Sequence, residues 1–599
     1  MKVLTILKRT AALLLTLLLL LPLGGCAAEP GGELRELYAS ELSTLNYLVS
    51  ANQADQAVGA NCIDTLVEYD AYGGLRPSLA TGWTRSGDGL RWTFTLRRGV
   101  GWYTSEGVYV RDVTAHDFVA AAQYALSPQN GSQCNNPLYV LKNARAFYEG
   151  DIGDFSAVGV RAADDYTLEY TLEQPVPYFL SSLTYVCFMP ACRELLAEKG
   201  KGFGLTNADL YYCGAYRLAE YVPQQRQVYV KNEYNWDAGS VHIARIVRTY
   251  NSEAATLAPV MVLRGELDFA EIGADIAGDW QENHAEYLSP GREKCDYSYF
   301  YCFNFAPQFD DAYQPENWRR AVVNTAFRKS IAAAFDAEYI SSVYGGGAVL
   351  QQTITPRTFA VYNGKDYARS EALAGSHIAA DAAAAVRWRE EARAALTAEG
   401  VSFPVKVPLV YRPDDAQWVN ESVLLEQWLE AVLGADYIDV ILVAGPTENF
   451  LSRTRRAGRY ALMRCNWGAD YIDPQTFTSP FAAGNSYCFC DRAGGGMPAL
   501  LEPYYNKVAA ASAETGDMAA RYRLFAEAEA LLIENAVAIP YMVTPVGYAA
   551  TRINVFERQT ASCGVSILRY KGLRLSEAFI DAEQFERNRQ AWEAGRQTA

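Results

Sequence analysis

The segment Arg459-Tyr460-Ala461-Leu462-Met463-Arg464-Cys465-Asn466-Trp467-Gly468-Ala469-Asp470-Tyr471 sets a cation, Arg464, six residues before a carboxylate, Asp470. Its first part alternates like a strand, which places Tyr460, Leu462, Arg464 and Asn466 on one face. Gly468 then permits a close backbone approach or an unusual φ. Fully extended, the two charges are at most ~20 Å apart, enough to bracket a short extended peptide advancing ~3.3 Å per residue. An unmodified peptide offers an ammonium, which suits Asp470, and a carboxylate, which suits Arg464. Charge-assisted hydrogen bonds of this kind are worth roughly 1.5–3 kcal/mol each. The residues alone leave plainer roles open: Asp470 could pair with a lysine or cap a turn, and Arg464 could be an ordinary ion-pair partner.

Other chemistries find little material. The four histidines, His116, His242, His284 and His377, stand apart, which argues against an imidazole metal site or a Ser-His-Asp triad. Neither Gly-x-Ser-x-Gly nor His-Glu-x-x-His occurs, so an extracellular hydrolase, the competing enzymatic reading, lacks a nucleophile or a metal set. Cys488-Phe489-Cys490 is too tight for a zinc knuckle. A non-enzyme without metal or cofactor is expected. The formal net charge of −16 and the lack of a basic patch exclude nucleic acid as a partner.

The elements that must carry these residues are mixed. Arg91–Arg97 and Tyr166–Leu172 alternate as strands, and Glu33–Leu48 starts a strand region. A helix is predicted over Ala115–Leu126, between Thr114 as N-cap and Ser127-Pro128 as stop. Further helices are read at Asp381–Glu399, Glu421–Leu433 and Met518–Asn535, with a strand at Val537–Met542. The 599 residues, half of them hydrophobic, therefore point to α/β lobes rather than a string of modules.

Lys2, Lys8 and Arg9 precede an apolar run over Ala11–Leu23 that ends in Leu23-Gly24-Gly25-Cys26. The run is too short to span a bilayer and reads as a secretory signal. Its end resembles the lipobox of bacterial lipoproteins, which implies acylation of Cys26 and a membrane-tethered extracytoplasmic body.

Leu79-Ala80-Thr81-Gly82-Trp83 with Arg91-Trp92-Thr93-Phe94, Gln174-Pro175-Val176-Pro177-Tyr178, Asn235-Trp236-Asp237, Arg264-Gly265-Glu266-Leu267-Asp268 and Trp467-Gly468-Ala469-Asp470-Tyr471 follow one another in order. Together they resemble the oligopeptide- and dipeptide-binding proteins of ATP-driven importers, family 5 of the extracellular solute-binding proteins. The resemblance implies a two-lobed, hinged α/β fold of the periplasmic-binding-protein class II type, with an extra subdomain in one lobe. Its expected divisions are a signal over 1–26, a tether over 27–35, a lobe I core of 36–63, 189–295 and 545–599, the extra subdomain over 64–188, and lobe II over 296–544. It also implies that Asp470 holds the ligand's α-amino group. In some members the position of Arg464 receives the C-terminal carboxylate. Main chain around Asn466 and Gly468 would add strand-like hydrogen bonds to the peptide, Trp467 would line the cleft, and Asn52 and Gln53 would supply a facing strand. The implied partners are a peptide, an ABC permease with its ATPase, and the membrane through the lipid anchor, with the protein itself a monomer. A peptide-sensing lipoprotein that does not transport is the alternative.

Overall fold

The computed structural model describes residues 32–598 apart from 293–296, 345–346, 363–364, 448–449, 483–497 and 562. The leader with Cys26, and the Cys488/Cys490 pair, therefore lie outside the described residues.

Two large apolar cores divide the chain. One is built from residues between Phe300 and Met542. The other runs from Leu34 to Ile246 and is completed by Ile553, Val565 and Leu573. A smaller cluster around Trp280 and Ala550 extends the second. The first core surrounds a six-stranded sheet in the order Val349–Leu350, Ala538–Val543, Ser298–Phe303, Leu462–Trp467, Val405–Tyr411, Ile438–Ala444. On the other side, Glu33–Tyr38 lies parallel to Arg245–Tyr250, followed by Arg226–Lys231 and Tyr216–Val222. A separate antiparallel sheet orders Ala80–Arg85, Arg91–Leu96, Thr167–Thr171 and Val160–Asp164. Arg91–Leu96 forms there because Trp92, Phe94 and Leu96 alternate into the core while their neighbours stay outside it.

Local chemistry fixes the element ends. Helix Ala115–Leu126 begins where the Asp117 carboxylate accepts the Thr114 N–H at 2.9 Å. Asp381 caps Ala382–Ala398 through the N–H groups of Ala383 and Ala384. Helix Ala416–Leu433 starts five residues before Glu421, because Asp415 takes the Trp418 N–H at 3.0 Å. The strand region expected over Glu33–Leu48 is a strand only to Tyr38. Leu42, Leu45 and Leu48 are buried by loop packing instead.

The chain passes between the two cores twice, after Leu288–Pro290 and after Ala538–Val543. The passages hold each other: the Gly291 N–H donates to the Gly547 carbonyl at 2.7 Å, and the Thr544 N–H to the Tyr297 carbonyl at 3.0 Å. A Cβ at Gly291 would stand 2.8 Å from the Gly547 oxygen, so this approach requires glycine. Beside the second passage, Tyr548–Thr551 is the middle strand between Phe269–Ile272 and Leu288–Pro290. Buried Asp268 joins the same region, accepting from the Arg35 main chain and guanidinium and from Arg552. Among the described residues, no helix is long and apolar enough to cross a membrane.

Candidate functional site

Leu462–Trp467 pairs antiparallel with Ser298–Phe303 along its whole length, with Arg464 opposite Tyr301 and Trp467 opposite Ser298. On its other side it meets Val405–Tyr411 only at Leu462 and Met463. Beyond Met463, that edge has no ladder partner among the described residues, and Asn466 is exposed. An open strand edge presents main-chain donors and acceptors to whatever lies alongside. The strand ends at Trp467, and Gly468 begins a loop that reaches the other lobe.

That loop is gripped from both sides. Ala469 forms a parallel bridge with Cys563. The Tyr471 ring stacks on Tyr178 with centroids 3.7 Å apart and planes 7° from parallel. The Ile472 N–H donates to Ser181 Oγ at 3.2 Å. From below, the Asp473 carboxylate takes Arg521 Nε and Nη2 at 2.9 and 3.0 Å, and both side chains are buried. Arg521 also reaches Gln475 Oε1 and the Ala511 carbonyl. The Asp470 N–H donates to Thr476 Oγ1 at 3.1 Å.

This scaffold carries the Asp470 carboxylate into the junction of the lobes, where no described side chain donates a hydrogen bond to it or forms an ion pair with it. Burial pushes its pKa up to about 7. Its electrostatic neighbours are Tyr471 on the same loop and, from the other lobe, Cys134, Tyr178, Tyr185, Cys187 and Cys563. None of these carries a positive charge that would offset the desolvation of the carboxylate. An unpaired charge taken out of water is costly, so a carboxylate so placed is biased toward its protonated form.

Arg464 is placed differently. It is buried, with Nη1 donating to Tyr344 Oη at 2.6 Å and Glu421 Oε2 at 3.1 Å, and Nη2 donating to Asp415 Oδ2 at 3.2 Å. Its guanidinium lies 4.1 Å from the Trp418 ring centroid. Of the two roles left open by the sequence, the ion-pair partner is the one displayed here. Asn52 and Gln53 require a correction: they supply no strand. Asn52 caps helix Gln53–Cys62 by accepting the Ala54 N–H, and both side chains are exposed. The next turn does reach the junction, since Gln56 Nε2 donates to Tyr185 Oη at 3.2 Å. Sequence reasoning missed Gln56, Tyr185, Asp473, Arg521, Asp415 and the position of the thiols; Asp473, three residues after Asp470 and before a proline, was the one with a local signal.

The one compact acid–thiol group among the described residues is Asp117, Cys192 and Glu194. Arg111 already bonds both of its carboxylates, so a resident cation fills it.

The family model for bacterial extracellular solute-binding proteins, family 5 (middle region), matches residues 74–487. The chain belongs to this family. The oligopeptide-binding protein SarA of Streptococcus gordonii is 29% identical over 616 residues, covering 93% of this chain and 90% of that protein. Two solved structures share the two-lobed fold. The substrate-binding domain of an oligopeptide ABC transporter from Bacillus anthracis superposes with a TM-score of 0.73 at 22% identity, over 91% of this chain and 99% of that one. Peptide-bound OppA of Listeria monocytogenes gives 0.72 at 20% identity, with the same coverage.

Proposed function

We propose that this chain is the substrate-binding subunit of a peptide importer. The observation that carries the reading is the Asp470 carboxylate, which has no partner within the described chain and sits at the lobe junction beside an open strand edge. The α-ammonium of a peptide supplies the missing cation. The backbone of the peptide extends along Cys465–Trp467 as an added strand, leaving side chains to face a tolerant cleft. Relatives named as oligopeptide-binding proteins support the same ligand class. Delivery to a membrane permease follows from closure of the two lobes around the ligand, which changes the surface offered to a partner.

Closure needs contacts from both lobes, because only differential affinity shifts an open–closed balance. The paired passages at Gly291/Gly547 and Tyr297/Thr544 are the hinge that permits it. Small-angle scattering of the protein started after Cys26 should give a smaller radius of gyration with a saturating unmodified peptide than without. Identical profiles at saturation would sink the clamp.

The tether belongs to the same proposal. The Leu23-Gly24-Gly25-Cys26 end makes Cys26 the acylated mature N-terminus, holding the binding body at the extracytoplasmic face beside its permease. Cys26→Ala should abolish incorporation of labelled fatty acid and either release the body or leave the precursor uncut. Undiminished labelling of the variant would rule out this anchor.

A further inference from the structure

The cation at Arg464 is outnumbered. Glu421 is fully buried and accepts from Tyr301 and Tyr541 on one oxygen and from Tyr344 and Arg464 on the other. Asp415 faces the opposite side of the guanidinium, and its own side chain is 38% exposed. Coupled to them is Arg412, whose Nε and Nη2 donate to Asp414 at 3.0 and 2.6 Å. The cluster therefore holds Arg412 and Arg464 against Asp414, Asp415 and Glu421, an excess of one negative charge. A ligand carboxylate brought to Arg464 would be the fourth anion around two cations. It would have to displace Asp415 from Nη2 and bear the repulsion of the carboxylates that remain.

We propose that the cleft reads a peptide from its amino end alone, and that Asp415 bars the C-terminal carboxylate from Arg464. The substrates are then peptides whose carboxyl end is extended past this point or blocked, taken as readily as free acids. Arg464 acts as a positioning residue that fixes Glu421, Tyr344 and the strand edge beside the ligand. This inference rests on the peptide-binding reading given above. It differs from that reading in what it says of the second terminus.

The test is calorimetric titration of tri-, tetra- and pentaalanine, each as free acid and as C-terminal amide, into the wild type and Asp415→Asn. The amide and acid should bind the wild type within about threefold of each other at every length. Asp415→Asn keeps the helix cap, since asparagine caps as well as aspartate, and removes the competing charge. It should bind the acid about tenfold to a hundredfold more tightly than the amide at the length that reaches Arg464, the size of one charge-assisted hydrogen bond. A tenfold preference of the wild type for free acids overturns the proposal while leaving peptide binding intact. An unchanged acid-to-amide ratio in Asp415→Asn, folded by circular dichroism, overturns the role of Asp415. If no peptide of any length binds the wild type, the peptide reading itself fails.

Discussion

Asp470→Asn should cost about 2–5 kcal/mol of affinity for an unmodified peptide, the usual range for removing one side of a buried charge pair. N-acetylation of the peptide removes the same interaction from the other side. It should therefore weaken the wild type by a similar amount and the variant much less, which a four-way titration measures as a coupling energy. Equal weakening of both proteins by acetylation would show that Asp470 does not hold the ammonium. The pH dependence is a second signature. With the carboxyl at about 7 before ligand arrives, and a peptide ammonium near pKa ~8, affinity should rise from pH 5 to about 7 and fall again above about 8. The acid limb should vanish in Asp470→Asn.

The same substitution should raise the stability of the ligand-free protein. Burial lifts the folded-state pKa of Asp470 above its unfolded value of ~3.9, so the folded state binds the extra proton between there and about 7. The contribution of Asp470 to stability therefore falls as pH rises through that window and is fully unfavourable above it. Discounted for the part of the side chain that stays open to water, the gain on removing the charge is about 1–3 kcal/mol at pH 8 and close to none at pH 4. Urea unfolding at the two pH values checks both the sign and the window. A variant less stable than wild type at pH 8 would contradict a half-buried carboxylate held without a partner among the described residues.

Asp473→Asn should be the most destabilising single change in the loop. It leaves the Arg521 guanidinium buried without its bidentate partner, and breaking one side of such a pair costs about 3–5 kcal/mol. The loop that carries Asp470 would lose its lower anchor, so peptide affinity should fall together with stability. Adding Arg521→Met removes the stranded cation and should restore much of the unfolding free energy, without restoring affinity, because loop position still depends on the lost bridge. If the single and double variants unfold alike, with less than about 1 kcal/mol lost, the pair is not what holds this loop.

What was legible in the sequence followed the range of the interaction. Ala115–Leu126 was read to the residue because Thr114, Ser127 and Pro128 mark its ends locally. Asp470 was singled out through its surrounding motif, and the ordered set of such motifs made the family fold legible. The start of Ala416–Leu433 was missed because its cap, Asp415, follows Pro413-Asp414, residue types equally at home in a turn, which hides the cap signal. Asn52 was misjudged because an asparagine before a helix caps it, and loose matching there concealed the helical run Gln53–Cys62. The partners of Arg464 at Glu421 and Tyr344, and that of Asp473 at Arg521, lie tens of residues away. Periodicity reports which face a residue is on, and it carries no information about which distant charge shares that face.

The placement of Tyr548–Thr551 between two strands from the middle of the chain sets an order of assembly. The chain leaves the ribosome amino end first, so Phe269–Ile272 and Leu288–Pro290 emerge with an empty lane between them. Some two hundred and fifty residues of the other lobe must follow before the strand that fills that lane arrives. The lobe begun first is thus finished last. Its late strand brings Arg552 to an Asp268 that Arg35 alone has held until then. A pairing of such long sequence separation is slow to close and leaves sheet edges exposed while it waits. A chain truncated before Tyr548 would retain the inserted lobe as a closed core and leave the outer one unsealed.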